Sequence, residues 1–176
     1  ANYPDALPGY FNVGMLHTAL AGAEDGHAKY APAKMADLLS KGYQVWALGH
    51  VHKRGVLSED PLIFYPGNTQ GRSVRETGPK GCTLVYVQDG VVVSCQHRDL
   101  HTARWCVLTI NASGVEFPPE IVDSVVERVR GEAGKEGDVV LAARVVITGA
   151  CPAHREIASD PERWTAEIRS GVSSET

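Results

Sequence analysis

The chain has 176 residues, of which 43% are hydrophobic and 22% are charged, and its formal net charge is -4. These values predict one folded core, or one core with a small second domain, and they argue against disorder and against a general basic coat for nucleic acid. No run of about 18 apolar residues occurs, so we expect no membrane span. The first residues show neither a signal-peptide pattern nor an initiator Met, and we interpret the chain as part of a longer protein.

The cysteines indicate the redox compartment. None of the four belongs to a CxxC pair, which favours buried free thiols in a reducing cytoplasm over a disulfide framework. We therefore expect a cytoplasmic protein. The cysteines are Cys82, Cys95, Cys106 and Cys151.

Two apolar segments near the start, 10–17 and 43–50, each end in a histidine and predict buried strands. Between them we predict a helix over 32–40, with Pro32 at its start and Gly42 just after its end. Strands that each deliver a histidine at the carboxyl end predict an α/β sheet with a site at that edge.

The rest of the chain divides into two stretches. Residues 56–59 and 62–67 predict short strands, and 82–98 predict a β-hairpin around Asp89-Gly90. After a polar boundary near 97–102 a small α/β unit follows, and its second element carries an apolar stripe that we assign to a core. The elements of that unit are a strand at 103–110, a helix at 118–130 with the stripe Ile121, Val125, Val126 and Val129, a strand at 139–150 and a helix at 160–171.

The segment Gly49-His50-Val51-His52 is the strongest chemical signal. In an extended chain two residues at i and i+2 project to the same side, with Cα atoms roughly 6–7 Å apart. His50 and His52 could then each give a nitrogen to neighbouring metal ions, and Gly49 would let the backbone turn and approach them. His17 could arrive at the same edge as a third ligand. A strand-end histidine with a purely structural role is the alternative.

Three strings carry a family resemblance: WALGHVHKRGVL, FYPGNTQGR and RETGPKGC. They resemble the calcineurin-like metallophosphoesterase superfamily, and within it the bacterial DNA repair exonucleases of the SbcD and YhaO type. The last two metal-binding motifs of the superfamily match His17 and the Gly-His-x-His at His50 and His52. The YPGNTQGR run at 65–72 and the ETGPKG run point to the exonuclease branch.

The resemblance implies an α/β fold in two parts. Residues 1–98 would be the C-terminal portion of a metallophosphoesterase β-sandwich flanked by helices, and 102–170 a small α/β capping domain. It also implies two divalent metal ions, manganese in many relatives, with His17 and His50 on one ion and His52 on the other. Such ions polarise phosphoryl oxygens and generate the nucleophile from bound water. The implied partners are DNA and an SMC-like coiled-coil ATPase.

The family's upstream metal motifs, which supply an Asp-x-His and the bridging carboxylate, do not occur in this sequence. We therefore expect incomplete metal binding and no complete catalytic set in this chain alone. Four carboxylates lie near the histidine motifs in the sequence but outside any motif of the family. His27 could reach the site from its loop, although we interpret it as a solvated loop residue. The carboxylates are Asp25, Glu59, Asp60 and Asp89.

Arg54, Arg72 and Arg75, with Lys53 and Lys80, make the loops around the histidine motif locally basic. These arginines are candidates for contacts with DNA phosphates, which dominate non-specific affinity. Salt bridges to Glu59, Asp60 and Glu76 are the alternative.

Two other functions remain open. The parent enzyme could act on a small phosphoester, or this chain could be a binding or assembly module without chemistry.

Overall fold

A computed structural model describes residues 3–20, 33–135 and 137–173. The chain divides into two compact units. The first comprises residues 1–70 and 79–101, and the second comprises 71–78 and 102–176. Residues 71–78 therefore belong to the second unit although they lie within the range 1–98. Two hydrogen bonds explain this: Trp105 donates its indole N–H to the Gly71 carbonyl (3.1 Å) and its own carbonyl accepts the Gly78 N–H (3.1 Å).

The first unit is built on a mixed four-stranded sheet. Its strands are β1 (Val13–His17), β2 (Val45–Gly49), β3 (Gly55–Glu59) and β4 (Leu62–Tyr65), in the spatial order β1-β2-β4-β3. Strands β1, β2 and β4 run parallel, and β3 runs antiparallel to β4. The short helix α1 (Met35–Leu39) connects β1 to β2.

Successive side chains of a strand point to opposite faces, so β2 contributes to a core on each face of the sheet. Along β2, Trp46 and Leu48 join a core that includes Leu38 of α1. Val45 lies in a second core, together with partly buried Val85 and Val92 of the next two strands. These strands, β5 (Gly81–Gln88) and β6 (Val91–Asp99), form an antiparallel hairpin.

The hairpin turn follows the sequence prediction. Asp89 (φ 51°) and Gly90 (φ 75°) both adopt positive φ values, as a two-residue turn of type I′ requires.

The second unit pairs β7 (Ala103–Asn111) in parallel with β8 (Val140–Thr148). Helix α2 (Pro118–Ala133) connects them, and α3 (His154–Ser159) and α4 (Pro161–Ser173) follow. Ile121 and Val125 of α2 are fully buried in the core of this unit, while Val126 and Val129 are half-buried, so the predicted stripe is confirmed.

The predicted α/β class is confirmed by this mixture of sheets and helices. Two details of the prediction are wrong. Helix α1 is shorter than 32–40, since Lys34 is still extended (φ -97°, ψ 142°) and the helix begins at Met35; Pro32 lies outside the described residues. Helix α3 was not predicted, because its six residues show no apolar stripe.

No helix in the described ranges combines the length and the apolar character that a membrane crossing needs.

All four cysteines lie in the described ranges and are free thiols. Cys106 is buried and Cys82 and Cys151 are half-buried, but the expectation of burial is wrong for Cys95. In the hairpin Cys95 lies opposite Val85, and the register shifts between Tyr86 and Val87, so simple strand alternation does not account for its exposure.

The cysteines are expected to react with a maleimide at different rates. Cys95 should be modified first and Cys106 last, because burial raises the pKa of the Cys106 thiol and lowers its thiolate fraction. Peptide mass spectrometry over a time course measures the order. Modification of Cys106 before Cys95 in the folded protein would contradict this placement.

A charged cluster links β7 to the end of α2. Glu132 accepts hydrogen bonds from Lys135 (2.7 Å) and from Arg104 (2.9 Å). These two bonds lower the pKa of the Glu132 carboxyl. A lowered pKa in the folded state means that the ionised form stabilises the fold.

Glu132→Gln is expected to lower the Tm at pH 7, where the wild-type carboxylate is ionised. The stabilisation is present above the usual carboxyl pKa, about 4.3, and is lost as the pH falls through it toward the lowered folded-state value. The difference in Tm between wild type and variant should therefore shrink below about pH 4. Glu127→Gln, at an exposed position on the same helix, is the control. A difference in Tm that does not change with pH would contradict the role of the ionised carboxylate.

Candidate metal centre

The register of β1 and β2 brings two histidines to one edge of the sheet. His17, the last residue of β1, lies opposite Gly49, the last residue of β2, and His50 follows directly. The centroids of the two imidazole rings are 5.3 Å apart, and the rings meet edge to face at 83°. His17 is exposed and His50 half-buried. The parallel pairing thus places two nitrogen-bearing rings at the carboxyl edge.

Gly49 leaves space for the His17 ring at this edge. A Cβ on Gly49 would lie 2.9 Å from Nδ1 of His17. The sharp turn predicted at Gly49 instead falls on His50, whose φ is 93°. Positive φ is uncommon for residues other than glycine, although histidine is among those in which it is enriched. The glycine therefore makes room for one histidine, and the turn directs the other.

His52 is half-buried and its backbone is in contact with two later segments. Gly67 (φ 78°) approaches so closely that a Cβ there would lie 3.0 Å from the His52 carbonyl oxygen. The ammonium of buried Lys80 donates to the same oxygen at 3.5 Å. The Lys80 backbone is in turn hydrogen-bonded to the ring of buried His101, whose Nδ1 lies 2.9 Å from the Lys80 carbonyl oxygen. The backbone around His52 is thus supported from two sides.

The segment after His17 is held by buried Tyr65 of β4. Its hydroxyl donates to the Thr18 carbonyl (3.0 Å) and accepts the N–H of Leu20 (3.1 Å). The sequence motifs contained Tyr65 and Lys80, but the sequence predicted neither contact. Lys80 was placed among the residues that make the loops basic, whereas it is buried. The positions of Tyr65 and Lys80 inside Tyr-Pro-Gly and Pro-Lys-Gly runs are the signal that could have drawn attention to them.

The two imidazoles fit part of a metal site. Imidazole nitrogen is a ligand for manganese, iron and zinc, and the rings of His17 and His50 are near neighbours. Across residues 3–20, 33–135 and 137–173, however, no three His, Cys, Asp or Glu side chains are grouped so that they could hold an ion. The pair is therefore not a complete metal site by itself, and His17, His50 and His52 as metal ligands stay predictions.

The candidate carboxylates do not complete the set in the described part of the chain. Glu59, Asp60 and Asp89 are exposed, and none of them belongs to a three-ligand group. Asp25 and His27 lie outside the described residues.

The candidate DNA-contact arginines fall in both units. Arg54 is exposed in the first unit, and Arg72 and Arg75 are exposed in the second. Arg72 forms an ion pair with Glu76 (3.4 Å), and its backbone N–H donates to the same carboxylate (2.8 Å). The salt-bridge alternative is thus observed for Arg72.

Comparison with known proteins finds similarity to metallophosphoesterases. Residues 105–175 match the family described as "Metallophosphoesterase YhaO, middle domain". This match covers less than half of the chain. Over 153 residues the chain is 38% identical to "Uncharacterized metallophosphoesterase YhaO" of Bacillus subtilis (strain 168). The alignment covers 86% of this chain and 36% of that relative, so the chain spans about a third of the relative's length.

Proposed function

We propose that this chain is part of a metal-dependent phosphodiesterase that digests DNA from its ends. The observation that carries the proposal is the pair of imidazoles at the carboxyl edge of parallel strands β1 and β2, with centroids 5.3 Å apart. The similarity to metallophosphoesterases supports the chemistry. The match of FYPGNTQGR and ETGPKG to the exonuclease branch supports DNA as the substrate.

His17, His50 and His52 would hold part of a site for two divalent ions, manganese in this proposal. Bound ions of this kind polarise the phosphoryl oxygens and lower the pKa of bound water. The role of this chain is to hold the imidazoles at fixed positions. Gly49 provides space for His17, and the Lys80 and Gly67 contacts support the His52 backbone. The remaining ligands would come from the upstream motifs of the longer protein.

DNA would be held through phosphate contacts from Arg54 and Arg75, with Arg72 available if it exchanges Glu76 for a phosphate. Each phosphate contact contributes to the salt dependence of binding. We further propose a cytoplasmic location and an SMC-like coiled-coil ATPase as partner. Residues 1–98 would belong to a nuclease domain and 102–170 would form a capping domain.

The decisive experiment assays the full-length protein with Mn²⁺ on end-labelled duplex DNA and on a small chromogenic phosphodiester. Shortening of the labelled DNA from its ends is the expected result. Activity on the small ester alone would overturn the nuclease assignment and favour a small-phosphoester hydrolase.

One observation favours a second candidate function. Because the described residues form no three-ligand group, the chain could serve as a binding or assembly module without chemistry. Metal content separates the two functions. If the purified full-length protein contains no Mn²⁺ and takes none up during dialysis against Mn²⁺, the module without chemistry is favoured.

A further inference from the structure

The hydroxyl of buried Tyr65 makes two hydrogen bonds to the backbone. Only 3% of the residue is exposed, and its hydroxyl lies between two backbone groups of one short segment. It donates to the Thr18 carbonyl at 3.0 Å and accepts the Leu20 N–H at 3.1 Å. A phenol has one donor and acceptor lone pairs, so it makes both bonds at once. The end of β4 is thereby fastened to the backbone that leaves β1.

The fastened segment begins directly after His17. Thr18, which is 2% exposed, also donates its N–H to the Gly49 carbonyl at 3.4 Å. The backbone at 18–20 is therefore hydrogen-bonded to β2 through Gly49 and to β4 through Tyr65. His17 has no freedom to shift along the strand without breaking one of these ties.

We infer that the Tyr65 hydroxyl is a positioning group for the metal centre, which fixes the backbone after His17 and thereby the His17 ring against His50. The inference rests on the proposed function, since it assigns a role within that site. Tyr65 acts through the backbone and is not itself a ligand.

If Tyr65 served only to pack the core, its hydroxyl would not be needed. The aromatic ring of Tyr65 belongs to the core that contains Trp46 and Ile63, and phenylalanine would fill that space equally well. Removing the hydroxyl would leave the buried Thr18 carbonyl and Leu20 N–H without that partner, which is costly away from water. The backbone at 18–20 would then loosen, while the core stays filled.

The test compares Tyr65→Phe with wild type in the full-length protein. Hydrogen exchange measured by mass spectrometry reports on peptides that contain residues 18–20, and electron paramagnetic resonance titration with Mn²⁺ reports affinity. We expect faster exchange at 18–20 and Mn²⁺ affinity lower by about tenfold, the low end of the effect of losing an outer-shell hydrogen bond.

Two controls separate positioning from stability. Tyr86→Phe removes a hydroxyl from an exposed tyrosine, and Ile63→Val weakens the same core on β4 without changing Tyr65. Both variants should bind Mn²⁺ within about twofold of wild type, a change well below the outer-shell effect.

The outcomes are distinct. Unchanged exchange at 18–20 in Tyr65→Phe overturns the inference, and so does faster exchange with unchanged Mn²⁺ affinity. An equal loss of affinity in Ile63→Val would assign the effect to general stability and also overturn it. If wild type binds no Mn²⁺, both the proposed function and a role of Tyr65 in a metal centre are wrong. The exchange comparison then shows only whether Tyr65 holds the backbone at 18–20.

Discussion

Under the proposed function, replacing His50 with alanine is expected to abolish manganese binding by the full-length protein. Its proposed phosphodiesterase activity should fall by at least about 100-fold, the upper end of what outer-shell changes cause. The imidazole of His50 is the member of the pair that is half-buried, with its Nε2 inside the protein. A methyl group cannot replace a nitrogen donor. Metal analysis after dialysis and a DNA digestion assay measure the two effects.

The positive φ of His50 calls for a second variant. Asparagine adopts positive φ more readily than most residues, so His50→Asn should preserve the backbone and remove the imidazole. His154→Ala, on an exposed position of α3, is the control. Retention of stoichiometric manganese and full activity in both His50 variants would show that this residue is not a ligand, and the proposed site would be wrong.

Gly49→Ala is expected to separate metal binding from stability. The new Cβ would lie 2.9 Å from Nδ1 of His17 but 3.7 Å from its Cα. The imidazole can rotate away while the backbone stays in place. The free energy of unfolding should therefore change by less than about 1 kcal/mol, because replacing glycine also restricts the unfolded chain. The Mn²⁺ affinity should fall by roughly 10- to 100-fold as the His17 ring leaves its position.

Gly55→Ala is the matched control for Gly49→Ala. Gly55 begins β3, and a Cβ there would meet nothing within 4 Å. This variant should bind Mn²⁺ like wild type. Denaturant unfolding and Mn²⁺ titration of both variants complete the experiment. Equal metal affinity in Gly49→Ala and Gly55→Ala would mean that the position of the His17 ring does not matter for binding.

Local pattern was sufficient to predict most of the elements. The apolar segments ending in His17 and His50 became neighbouring parallel strands, and the Asp89-Gly90 pair became the hairpin turn. These features depend on short-range preferences: alternation, turn geometry and the spacing of a helical stripe. Helix α3 was not predicted because its six residues show no such pattern.

The sequence by itself determined the α/β class and which histidines are candidates for the site. Only the tertiary structure decided that the His17 and His50 rings meet at 5.3 Å, that Tyr65 fastens the backbone after His17, and that residues 71–78 pack on Trp105 in the second unit. Each of these facts is a contact between residues more than 25 positions apart. Such contacts depend on strand register and on the packing of side chains, which local preferences do not specify.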